Sequence, residues 1–128
     1  MQIDADNLKV VNDTYGHDAG DKLIKNLTTV INEMSRDSDV LARIGGDEFV
    51  VLLPETESEH AAVIGERIRV AIQNSAFDIK GNRVQSTVSI GIASYPADSD
   101  NVESLFDMAD QAMYRSKKEG RNKLSQYQ

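Results

Sequence analysis

Two adjacent glycines near the middle of the chain constrain its fold more than any other feature. Val40, Ala42 and Ile44 alternate with Leu41 and Arg43 as a strand would, and Phe49 to Leu53 is a continuous apolar run. Gly45-Gly46 falls between them, and such a pair between two strand patterns predicts a β-hairpin. Pro54 then ends the second strand, because it cannot donate to a ladder. A central hairpin among helical segments favours an α+β sandwich over a parallel doubly wound sheet.

The rest of the chain supplies the helices. A short helical piece over about Asn7 to Tyr15 should stop at Gly16. Asp18 to Arg36 follows as a long helix, with Leu23, Leu27, Val30, Ile31 and Met34 on one face. Thr56 and Glu59 have the spacing of a capping box, ahead of a helix whose apolar face is Ala61, Ile64, Ile68, Ala71 and Ile72. A second hairpin is predicted at Gly81-Asn82, then one strand from Val84 to Ala93. Val102 to Glu119 reads as the last helix, with Leu105, Ala109, Ala112 and Met113 inward and Gly120 as its C-cap. A short strand over Lys123 to Tyr127 closes the chain. Ile3 precedes Asp4 as though it ended a strand, although a buried central strand normally needs about five or six residues. The chain therefore reads as starting late in its first strand.

Composition narrows function. The chain has 128 residues, enough for one domain, and no cysteine, so disulfides and thiolate-bound zinc are excluded. That suits a reducing cytoplasm. The formal net charge of −7, with no dominant Lys/Arg cluster, argues against nucleic-acid binding. No apolar run approaches the roughly 20 residues of a membrane-spanning helix, so no membrane contact is expected from this chain. A triphosphate would be repelled by so acidic a chain unless divalent cations lay between them.

Asp4, Asp47 and Glu48 are the candidates for that role. Asp4 sits where the first strand ends, and Asp47 and Glu48 follow the Gly-Gly turn. In an antiparallel sheet these points can meet, and clustered carboxylates at strand ends offer hard oxygen ligands to Mg²⁺. The glycines would let backbone amides approach phosphate oxygens without a clashing Cβ. Acidity alone fits a solvated hairpin tip at least as well.

Gly45-Gly46-Asp47-Glu48-Phe49 resembles the signature of the GGDEF family, the diguanylate cyclases. Asp4 to Lys9, Asn12 to His17, Gly20-Asp21, Val88 to Ala93, and Tyr114 through Lys117 to Gly120-Arg121-Asn122 are similar to the same family, in order along nearly the whole chain. The resemblance implies a fold similar to the palm of nucleotide cyclases and polymerases. It implies a bacterial signalling enzyme that condenses two GTP molecules into cyclic di-GMP and pyrophosphate.

Site roles follow from the same resemblance, position by position. Asp4, the Ala5 carbonyl and Glu48 would hold two Mg²⁺ or Mn²⁺ ions. Asp47 and Glu48 would serve catalysis, with Asp47 assisting deprotonation of the ribose 3′-hydroxyl or supporting the metals. Gly45 and Gly46 would wrap the nucleotide. Asn12 and Asp21 would hydrogen-bond the guanine edge, which offers both donors and acceptors. Lys117 and Arg121 would hold the outer phosphates. Each has a structural alternative: Asn12 as a helix-end residue, Asp21 as a first-turn acid, Lys117 and Arg121 as cations suited to a helix C-terminus. Ser89 and Gly91 read as packing positions and His17 as structural.

Arg36 and Asp39 are similar in spacing to the family's inhibitory product site, and Arg67 matches an arginine that completes it. The resemblance also implies a homodimer for catalysis and a sensory domain upstream. Family members carry a helix and most of the first strand ahead of the residue matching Asp4, so a truncated start and impaired activity are expected. Asn7 and Leu8 stand where aromatic residues often follow the first acidic pair, which is expected to alter packing only. The alternative reading is a non-catalytic receptor for cyclic di-GMP or GTP, against which the intact Gly-Gly-Asp-Glu-Phe turn argues.

Overall fold

A computed structural model describes residues 1–128. Its elements run β1 (Gln2–Ala5), α1 (Leu8–Tyr15), α2 (His17–Met34), β2 (Val40–Arg43), β3 (Glu48–Leu52), α3 (Ser58–Asn74), β4 (Ala76–Ile79), β5 (Asn82–Gln85), β6 (Val88–Ile92), α4 (Val102–Lys118) and β7 (Lys123–Gln126). Five strands form the main sheet in the order β2-β3-β1-β6-β7, and β4-β5 is a separate hairpin. All main-sheet pairs are antiparallel except β6 with β7. The expected α+β class with a helix-flanked, antiparallel-containing sheet is the observed one.

Strand alternation divides the sheet into two chemically different faces. Ile3, Ala5, Phe49, Val51, Val88, Ile90 and Ile92 point to one side, where they meet Leu23, Leu27 and Ile31 of α2 and Ile64, Ile68 and Ile72 of α3 in the core. The other face lies under α4. Gly91 sits on that side, where a Cβ would come within 2.1 Å of the Ala109 carbonyl oxygen and 2.2 Å of the Met113 nitrogen. Ser116 Oγ, buried, donates to the Ile90 carbonyl and bonds to Ser125 Oγ, tying α4 to β6 and β7. Asn101 caps α4 by accepting from the Ser104 nitrogen, and Arg115, Lys117 and Lys118 in its last turn suit the negative end of the helix dipole.

The sheet centre holds the first strand expected to end at Asp4. β1 is short, yet it lies between β3 and β6 with all of its residues buried. Met1 extends its ladder: its nitrogen donates to the Val51 carbonyl at 3.0 Å, and its carbonyl accepts from Val51 at 2.9 Å. Beyond Met1, Leu52 to Thr56 on one side and Ile92 to Tyr95 on the other flank a groove of about 610 Å³ in line with β1.

Three local expectations are corrected. Val84 to Ala93 is two strands, because Ser86 and Thr87 turn their hydroxyls to Asn7 Oδ1 and Asp6 Oδ2 and break the run. Thr56 and Glu59 form no capping box: α3 begins at Ser58, its N-cap Glu57 makes no side-chain cap bond, and Thr56 Oγ1 donates to the Pro54 carbonyl instead. Glu119, one residue earlier than expected, caps α4, and Gly120 follows at φ 115°. No helix is long and apolar enough to cross a membrane.

Candidate active site

Asp4 and Glu48 are direct partners across the β1–β3 ladder, so their side chains leave the same face of the sheet, on the α4 side. The Ala5 nitrogen donates to the Asp47 carbonyl at 3.0 Å, which fixes the end of the Gly-Gly turn against β1. Ile44 donates to the Glu48 carbonyl at 3.0 Å and closes the turn itself. Arg43 braces it from beneath, donating from Nε to the Gly45 carbonyl at 3.0 Å and from a terminal nitrogen to the Gly46 carbonyl at 2.7 Å. Both glycines stay exposed and open to a ligand.

The electrostatics concentrate on Asp4. Its side chain is 11% exposed, and Lys117 Nζ reaches its Oδ2 at 3.0 Å from the last turn of α4. Burial pushes the Asp4 carboxyl from 3.8 up to about 6, against the hydrogen bond and charge of Lys117, and the Asp47 carboxylate beside it pushes the same way. Asp4 Oδ1 is buried with no hydrogen-bond partner. A buried carboxylate oxygen without a partner is costly, and a cation would satisfy it. No three His, Cys, Asp or Glu side chains converge to hold a metal ion by themselves. One or two carboxylates completed by phosphate oxygens is a common way to bind Mg²⁺, so Asp4, Glu48 and a backbone carbonyl fit that donor set.

Asn12 and Asp21 are brought together by the packing of α1 on α2. A Cβ at Gly20 would lie 1.8 Å from Asn12 Oδ1, so only glycine admits the amide there, and Asp21 is the next residue. Asn12 Oδ1 is the second buried side-chain atom without a partner. Asp21 is exposed, as is His17. Lys117 and Arg121 do not share one helical face as expected. α4 ends at Lys118, and Arg121 lies in a left-handed turn beyond it at φ 63°.

Arg36 and Asp39 are already paired. A terminal nitrogen of Arg36 donates to Asp39 Oδ1 at 2.7 Å and to Thr56 Oγ1 at 2.6 Å, and the Arg36 backbone donates to Asp39 Oδ2 at 2.8 Å. Burial would raise the Asp39 carboxyl, but the Arg36 hydrogen bonds outweigh it and hold the group below the usual carboxylate range. Arg67 lines a separate, shallow groove of about 620 Å³ on α3, which also touches Met34 at the end of α2.

Sequence reasoning missed Asp6 and misread its neighbours. Asp6 Oδ1 accepts from Ser89 Oγ at 2.6 Å, and Oδ2 accepts from Thr87 Oγ1 at 2.7 Å and from the Asn122 nitrogen at 3.0 Å. Ser89 is thus a hydrogen-bond partner as well as a small packing residue. Asn7 does more than alter packing: its Nδ2 donates to the Gln85 carbonyl at 3.0 Å and its Oδ1 accepts from Ser86 at 2.8 Å. The cluster of short polar residues Ser86, Thr87 and Ser89 beside an apolar strand was the available signal.

The fold and this cluster define a nucleotide-cyclase-like palm with a carboxylate site at the tips of its central strands. The chain belongs to the GGDEF family: the family model for the diguanylate cyclase GGDEF domain matches residues 1–123. It is similar to diguanylate cyclase A of Treponema denticola, at 38% identity over 98% of this chain and 34% of that protein. It is 42% identical to diguanylate cyclase DgcP of Pseudomonas aeruginosa over 95% of this chain and 18% of that protein. The chain thus spans about a third or less of these curated relatives. Among solved structures, the GGDEF domain of YfiN from Pseudomonas aeruginosa superposes with a TM-score of 0.93 at 36% identity, covering 99% of this chain and 80% of that one. The GGDEF domain of DgcB from Caulobacter crescentus, in complex with c-di-GMP, does so at 0.89 and 32%, over 98% and 74%.

Proposed function

We propose that this domain is a diguanylate cyclase, condensing two GTP molecules into cyclic di-GMP with release of pyrophosphate. The observation that carries this reading is the register of Asp4 opposite Glu48, beneath the exposed Gly45-Gly46 turn, with Lys117 on the Asp4 carboxylate. Asp4, Glu48 and the Ala5 carbonyl would hold two Mg²⁺ or Mn²⁺ ions, which supply neutralisation of phosphoryl charge when bound. Asn12 and Asp21 take the guanine edge, and Gly45 and Gly46 admit the phosphates close to the backbone. Lys117 exchanges Asp4 for the outer phosphates, and Arg121 joins it there.

Two domains face each other in a two-fold dimer. The 3′-oxygen of each ribose forms a bond to the α-phosphorus of the other nucleotide, and the bond from that phosphorus to pyrophosphate breaks. Asp47, beside Asp4, assists removal of the 3′-hydroxyl proton. Positioning and charge neutralisation account for the catalysis. Cyclic di-GMP then feeds back at Arg36, Asp39 and Arg67, where guanine and phosphate displace the Arg36–Asp39 pair. A cytoplasmic setting and an upstream sensory domain in the parent protein complete the reading. So does a domain boundary ahead of Met1, where an upstream helix and the start of the first strand would enter the groove in line with β1.

The test is incubation with GTP and Mg²⁺ or Mn²⁺, beside ATP, on this chain and on a form extended ahead of Met1. Pyrophosphate and cyclic di-GMP from GTP alone are expected. Absence of turnover in both forms at high concentration, with cyclic di-GMP still bound, would instead support a receptor.

A further inference from the structure

The turn that carries Arg121 is held in an unfavourable conformation. Gly120, Arg121 and Asn122 have φ of 115°, 63° and 46° in succession, and two of them carry a Cβ. Residues other than glycine in this region cost about 1 kcal/mol or more each, and persist only where their surroundings over-determine them.

Those surroundings come from three parts of the fold. The Arg121 nitrogen donates to the Ser116 carbonyl at 3.0 Å, which closes the turn on α4. The Asn122 nitrogen donates to Asp6 Oδ2 at 3.0 Å, which ties it to the end of β1. Arg69 on α3 donates from a terminal nitrogen to Asn122 Oδ1 at 2.9 Å, and its other nitrogens fork onto Glu66. Asp6 is 4% exposed, and its oxygens also take the Ser89 and Thr87 hydroxyls. Its Oδ1 lies 4.0 Å from Lys117 Nζ. One buried carboxylate, two residues beyond Asp4, therefore bonds the strand paired with β1 and the turn that bears Arg121, and lies 4.0 Å from the cation that reaches Asp4.

We propose that Asp6 and Arg69 are positioning residues that hold the Gly120–Asn122 turn so that Lys117 and Arg121 converge on the β- and γ-phosphates of the nucleotide. Neither touches the reacting atoms; they act through Asn122 and Lys117. The inference rests on the proposed placement of the triphosphate at Lys117 and Arg121. A loose turn would cost the outer-phosphate contacts and leave the guanine and α-phosphate contacts of Asn12, Asp21 and the Gly-Gly turn in place.

Binding of GTP and of GMP, each with Mg²⁺, is measured by calorimetry on the wild type, Asp6→Ala and Arg69→Gln. Arg69 is reached from α3, so its variant keeps the test usable should Asp6→Ala not fold. GTP affinity is expected to fall roughly tenfold or more in each folded variant, with GMP affinity within about threefold of wild type. A general loosening would weaken both ligands alike and would overturn the proposal. So would variants that keep the full preference for GTP over GMP, in which case the placement of the triphosphate still stands. A wild type with no preference for GTP over GMP would remove that placement and the inference together.

Discussion

Replacing Asp4 by Asn is expected to stabilise the protein at alkaline pH while removing the proposed cation-dependent nucleotide binding. Burial moves the Asp4 pKa from 3.8 to about 6, with Lys117 opposing and Asp47 assisting. An acid whose folded-state value lies above its unfolded value holds its proton more tightly when folded, so its ionised form weighs against folding. The penalty is absent below the unfolded value, grows through the interval and is complete above the folded value. The interval from 3.8 to about 6 corresponds to about 3 kcal/mol. Solvent on the open side of the cluster screens part of this, leaving about 1–2 kcal/mol. Asparagine has nearly the shape of the protonated acid and carries no charge, and Lys117 keeps Asp6 as a neighbour at 4.0 Å. Urea titrations at about pH 4 and about pH 8 should show similar stability at the acid end and a more stable variant by about 1–2 kcal/mol at the alkaline end. The same variant should lose Mn²⁺-dependent GTP binding, since a functional carboxylate is kept at a cost in stability. A loss of stability of equal size at both pH values would show that the Lys117 pair outweighs burial. It would refute the argument that Asp4 is held ready for a cation.

Further outcomes follow from single contacts. Gly20→Ala would place a Cβ 1.8 Å from Asn12 Oδ1, and because a side chain can rotate away, the cost to stability should be only about 1 kcal/mol. The displaced amide should still lower GTP affinity, roughly tenfold, by calorimetry. Gly91→Ala meets main chain instead, at 2.1 Å from the Ala109 oxygen, so α4 must lift, and the urea midpoint should fall by the equivalent of about 3 kcal/mol.

Local pattern made the helices and the central hairpin of this domain legible, and side-chain bonding between distant residues was not. The helical faces of Leu23, Leu27 and Ile31 and of Ile64, Ile68 and Ile72 follow from periodicity, and all six residues lie in one core. The Gly45-Gly46 hairpin follows from the strand patterns on either side, and β2 and β3 do pair antiparallel around it, from Val40↔Leu52 to Arg43↔Phe49. Ile3-Asp4 read as the end of a buried strand although too few residues precede Asp4 to show alternation, and the place of β1 between β3 and β6 sets Asp4 opposite Glu48. The single strand expected over Val84 to Ala93 failed for the same reason that Asp6 went unnoticed. Ser86 and Thr87 leave the ladder to bond Asn7 and Asp6, residues about 80 positions away, and a hydrogen bond across that separation has no local periodicity. Such bonds converge on the proposed phosphate-binding end of the site because its parts come from β1, β6, α3 and the turn after α4. Held by buried polar contacts instead of apolar packing, that end can be misaligned by changes that leave the core intact. Asp6→Ala and Arg69→Gln should therefore alter ligand discrimination more than Gly91→Ala, which acts on packing and should weaken every ligand together.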